Sequence, residues 1–124
     1  MDLPLLIRDM VEPEETDIAA VKNKLRTYKA DELSFNEPHF GIQLSMRGGK
    51  ITEVKNHLLN PDALDQAYTE EGKYGETKHI LHFRISNTRT MIIPAIFDPR
   101  GRKGLYAITY IMRHRRCLKT EGFV

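Results

Sequence analysis

The chain has 124 residues, 40% of them hydrophobic and 29% charged, with a formal net charge of +2 and a single cysteine, Cys117. That length accommodates one compact core and is too short for two ordinary domains, and the composition excludes a disordered or fibrous chain. One cysteine excludes an intrachain disulfide and fits a reducing, cytoplasmic setting. The opening MDLPLLIRDMV, interrupted by Asp2, Pro4 and Arg8, has the form of neither a secretory leader nor a membrane span.

The charge is unevenly distributed. Residues 1–37 hold five Lys/Arg against nine Asp/Glu, a net of −4, whereas residues 98–124 hold seven against two, a net of +5. A basic C-terminal surface has the sign that nucleic acid or another anionic partner requires, and it is equally the sign of a solvated surface.

In chain order, the apolar run from Leu3 to Val11 ends at Glu12-Pro13-Glu14-Glu15, which interrupts regular structure. Thr16 is the expected N-cap of a helix over 17–28, with Ile18, Val21, Leu25 and Tyr28 on one face and Lys22, Lys24 and Arg26 on the other. A brief extended piece is expected at Leu33 to Phe35. Glu37-Pro38 opens a second helix with Phe40 and Leu44 inward, stopped by Gly48-Gly49. Thr52 is the expected cap of a third helix over 53–60, with Ile51, Val54 and Leu58 as its apolar stripe, closed by Asn60-Pro61.

A first strand is expected over 63–69. After a polar loop at Glu70 to Gly75, the region 78–116 reads as an antiparallel meander of three strands, over 78–85, 88–97 and 105–112. In the first of these, His79, Leu81, Phe83 and Ile85 share one face while Lys78, Ile80, His82 and Arg84 share the other. Pro94 has no N–H to donate, so a bulge, break or edge position is expected there. The whole is an α+β domain, with N-terminal helices packed on a three- to four-stranded antiparallel sheet.

That connectivity puts Arg100, Arg102 and Lys103 at one hairpin tip, and gathers Arg84, Arg89, Arg113, His114, Arg115 and Arg116 at the opposite end. A track of guanidinium groups is what a phosphate backbone needs, and imidazoles among them can move protons; a charged sheet end that stays soluble is the plainer reading. His79 and His82, three residues apart on a strand, point to opposite faces and cannot chelate one ion. No metal, cofactor, P-loop, dinucleotide fingerprint or nucleophile elbow is expected. The residue types suit a metal-free ribonuclease, which uses a base, an acid and cations around a charged phosphorane, but they leave no spacing signature of one.

The stretch HFGIQLSMRGGKITEVKNHLLNP, beginning at His39, resembles the opening of the BrnT-like small toxins and a related domain of unknown function, placed in the RelE/ParE-like superfamily. His39 matches the leading histidine of that motif, Arg47-Gly48 its arginine-glycine, and Asn60-Pro61 the close of its second helix. Gln43 departs from a basic position, Gly49-Lys50 adds a residue, and roughly the first 35 residues have no counterpart. The resemblance implies a helix-on-sheet, RelE-like fold over 37–124, with 1–36 as an N-terminal extension. It also implies metal-independent cleavage of RNA, often on the ribosome, and a cognate antitoxin. Joined with the sheet residues, it gives His39, Arg47, His82 and His114 as candidate catalytic groups and Arg84, Arg89, Arg113, Arg115 and Arg116 as candidate RNA contacts. The alternative on the same fold is a non-catalytic module that binds nucleic acid or protein, and a homodimer is a further expectation.

Overall fold

The computed structural model describes residues 17–115. Helix α1 spans Ile18–Arg26; its N-cap is Asp17, not Thr16, because the Asp17 carboxylate accepts a hydrogen bond from the Ala19 N–H at 3.1 Å. Thr16 lies outside the described residues. The helix stops at Arg26, where the Thr27 hydroxyl donates back to the Lys24 carbonyl at 2.6 Å, yet Tyr28 just beyond it is still buried against the core.

Strand β1 (Leu33–Phe35) leads into α2 (His39–Met46), whose buried anchor, Phe40, packs on Phe35 with ring centroids 4.8 Å apart. A Schellman arrangement ends α2. Gly48 takes φ +67°, its N–H donates to Ser45 O, and the Gly49 N–H donates to Leu44 O. Helix α3 (Ile51–Leu59) begins earlier than the expected Thr52 cap, at Lys50, whose carbonyl takes the N–H groups of Glu53 and Val54.

The sheet is larger than expected, and mixed. Strands β2 (Leu64–Glu71), β3 (Thr77–Arg84), β4 (Arg89–Phe97), β5 (Leu105–Ala107) and β6 (Ile111–His114) join β1 in one six-stranded sheet of order β1-β5-β4-β3-β2. Every neighbour is antiparallel except β1, which lies parallel to β5 with Leu33 opposite Leu105. The single last strand expected over 105–112 is two strands, both paired to the same edge of β4.

Pro94 accounts for that break. In an antiparallel strand the N–H and C=O of one residue point to the same side. Pro94 O accepts from Ile108 N–H at 2.8 Å, so its nitrogen, which has no proton, also faces the last strand. The ladder cannot run through that point, and residues 108–110 bulge between β5 and β6. On the other side Pro94 sits opposite Ile80 without disturbing the β3 register.

All three helices lie on one face. Val21, Leu25, Phe40, Val54 and Leu58 pack there against Leu81, Phe83, Met91, Ile93, Ala95, Leu105, Ala107 and Tyr110. Ile80, His82 and Ile92 are also buried, at 6%, 6% and 3% exposure, but they stand on the opposite face, outside this cluster. Among the described residues no helix lies on that face.

Candidate functional site

Strand register collects the cations at the β3–β4 turn. Arg84 stands opposite Thr90, and Thr90 opposite Arg113, so Arg84 and Arg113 flank Thr90 on the face without helices. Arg89 is paired with His114 on the helix-bearing face. The Arg115 N–H donates to Thr88 O at 2.7 Å, which holds that residue beside the same turn. Five of the candidate residues thus meet at one end of the sheet, divided between its two faces. Arg116 lies outside the described residues.

Residues that were not singled out from the sequence shape the helix-free side. Asp65, the extra residue where the β2–β3 register shifts, reaches Arg84 at 3.7 Å. Tyr68 lies with its ring centroid 5.5 Å from that of His82. Burial and then Arg113 lower the His82 pKa below its ordinary value, with Asp65 opposing, so the imidazole is neutral at physiological pH. Among the described residues its Nε2 has no hydrogen-bond partner. His79 is on the other face, stacked on Phe97 at 4.0 Å, and burial lowers its pKa too. Among the described residues no three His, Cys, Asp or Glu side chains converge to hold a metal.

The two residues that carry the toxin resemblance sit at opposite ends of α2. His39 is exposed and its Nε2 hydrogen-bonds the Thr109 hydroxyl at 2.9 Å, beside the β5–β6 bulge. Arg47, at the C-terminus, donates to Gln43 Oε1 at 2.7 Å and acts electrostatically on Tyr110, as does Arg89. Arg47 and Arg89 thus both act on Tyr110, whereas His39 is held on Thr109 from the other end of α2. The signal linking Arg47 to the strands is Tyr110, which reads from sequence only as another core residue.

In the other cluster, at the β4–β5 tip, only Lys103 has a carboxylate within 4 Å among the described residues. Lys103 lies 3.6 Å from Glu32, and Asp31 and Glu32 share with Arg100, Arg102 and Lys103 the lining of an open cavity of about 410 Å³. Asp98 organises this loop from a left-handed backbone (φ 50°). Its carboxylate accepts from Lys24 Nζ at 2.6 Å, Tyr28 Oη at 2.8 Å and the Gly104 N–H at 3.1 Å. The Lys24 contact foremost, then the Gly104 N–H and the Tyr28 hydroxyl, hold its pKa down at about 2 against the opposing effect of burial. At the β3–β4 end only Arg84 has a carboxylate within 4 Å among the described residues.

Comparison of the chain with protein-family models, curated proteins and solved structures finds no match. The chain is an α+β protein with helices on one face of a mixed sheet. No helix among the described residues is long and apolar enough to cross a membrane.

Proposed function

We propose that the protein binds the phosphate backbone of RNA through the β3–β4 end of its sheet. The observation that carries this reading is the meeting of Arg84, Arg89, Arg113 and Arg115 there, four guanidinium groups with one carboxylate contact among them, while the cations of the opposite tip share a cavity lining with Asp31 and Glu32. Separate guanidinium groups spaced over three neighbouring strands match successive phosphates better than one compact anion. A sheet face with Tyr68 and Tyr106 exposed in part suits unpaired bases, which stack on aromatic rings, better than a duplex groove.

Fluorescence anisotropy with a short single-stranded RNA across a salt series tests it. Binding should weaken steeply with salt, and Arg113→Ala/Arg115→Ala should reduce the slope of log K against log salt by about 1–2 while the fold is kept. Binding indifferent to salt would sink the reading.

A second reading, metal-independent cleavage by a toxin-type protein with a cognate antitoxin, is favoured by one observation. The exposed imidazole of His114 is the cross-strand neighbour of Arg89, and Arg47 of the toxin-like motif acts, as Arg89 does, on Tyr110. It requires RNA to be cut in the presence of a chelator, with or without ribosomes, and His114→Ala to abolish cutting without abolishing binding. Intact RNA under both conditions leaves the binding reading alone.

A further inference from the structure

The junction between α2 and α3 has the sequence Arg47-Gly48-Gly49-Lys50-Ile51-Thr52, with α3 starting at Ile51. No side chain caps that nine-residue helix, and among the described residues neither Ile51 nor Thr52 N–H has an acceptor. A helix start alone defines nothing, since water satisfies many of them. Here a second, independent feature lies underneath. Tyr110 is fully buried, its hydroxyl has no hydrogen-bond partner among the described residues, and that oxygen lies 2.7 Å from where a Cβ on Gly49 would stand. The ring itself is accounted for by its edge-on contact with Phe40. Phenylalanine would fill that space without taking an unpaired hydroxyl out of water, so the hydroxyl is the unexplained part.

The charges around it are of mixed sign, with the Glu53 carboxylate acting most strongly on the hydroxyl and Arg89 and Arg47 opposing it. Arg47 projects from the end of α2, Arg89 enters from β4 on the helix-bearing face, and Lys50 precedes the helix; Glu53 opposes them from the first turn of α3. With the partial positive charge of a helix start, two arginines and a hydroxyl donor form the donor set that a tetrahedral oxyanion takes up.

We propose that residues 47–52 form a binding site for one phosphate-type oxyanion, held by the N–H groups that open α3, the side chains of Arg47 and Arg89, and the Tyr110 hydroxyl. The site stands independently of the RNA reading, because its occupant is either free phosphate or one phosphate of a nucleic acid. Gly49 belongs to it as the residue whose missing side chain lets the phenol approach the backbone.

Amide NMR of the full chain, titrated with inorganic phosphate against a chloride control, tests the proposal. The amides of Gly49, Lys50, Ile51 and Thr52 should shift and saturate. Arg47→Gln and Arg89→Gln should each weaken binding about tenfold. Glu53→Gln should tighten it, and Tyr110→Phe should weaken it several-fold while melting at the same temperature or higher without phosphate. Arg47 is exposed, so its variant gives an answer even if another folds poorly. Amides that do not saturate, or that respond equally in the Arg47→Gln and Arg89→Gln proteins, overturn the site. A single-stranded RNA lacking terminal phosphates, added to the phosphate-bound protein, separates the sources. Displacement of phosphate assigns the site to the nucleic-acid backbone, and its retention assigns it to free phosphate; either outcome requires the site to exist.

Discussion

Replacing Asp98 by asparagine removes one negative charge from the β4–β5 loop and little else. Asparagine tolerates the left-handed backbone at φ 50° and its amide oxygen still accepts from Tyr28 or Gly104, so the variant isolates the ion pair with Lys24. The native carboxyl is held at about 2 against an ordinary 3.8. At full strength that lowering corresponds to roughly 2.5 kcal/mol. The Asp98 side chain is 34% exposed and that of Lys24 39%, and solvent screening brings the expected loss to about 1 kcal/mol. A carboxyl with a depressed pKa stabilises the fold above its unfolded value and loses that contribution as pH falls through its folded value. Urea denaturation should therefore find the full difference between native and Asp98→Asn proteins at pH 7. The difference should shrink below about pH 4 and vanish near pH 2. An offset of the same size at every pH would mean that shape or hydrogen bonding, not charge, holds the loop, and would refute the reasoning.

Other substitutions probe the rest of the architecture. Gly49→Ala would push a methyl to 2.7 Å from both Leu44 and the Tyr110 hydroxyl, and thermal melts should register a loss of about 1–3 kcal/mol, whereas Gly48→Ala meets no neighbour and loses only the left-handed preference, about 1 kcal/mol. Leu81→Ala, in the middle of the core, should cost about 2–5 kcal/mol in chemical denaturation. His79 and His82 are held neutral in the fold, so the unfolded chain takes up more protons below pH 6.5 and stability must fall as the solution is acidified through that range. Proton NMR should find both imidazoles titrating below the ordinary value, and a His79→Leu/His82→Leu protein should lose that part of the acid slope.

Local pattern was enough to find most elements. The apolar spacing in α1, the glycine pair after α2 and the alternation in β3 each have a cause within a few residues, and all three appear where those causes put them. Helix starts moved by one or two residues because capping depends on which oxygen reaches an N–H, at Asp17 and at Lys50. The parallel pairing of β1 was out of reach, since a three-residue strand carries no sign of a partner seventy-two residues further along the chain. The cationic end was legible because hairpin connectivity alone brings Arg84, Arg89, Arg113 and Arg115 together. That Arg47 and Arg89 both act on Tyr110, while His39 is held on Thr109, depends on how α2 lies against the sheet, a packing outcome with no local signature.

The bulge opposite Pro94 also acts as a parity switch. Before it the odd-numbered residues Leu105 and Ala107 face the helices; after it the even-numbered Tyr110 and Met112 do. Had the last strand run on unbroken, Arg113 would have been turned toward the apolar core and His114 away from it. The side of the sheet on which a guanidinium meets Arg84 is thus decided by a ring nitrogen without a proton, on the neighbouring strand opposite Ile80 and in a residue that carries no charge.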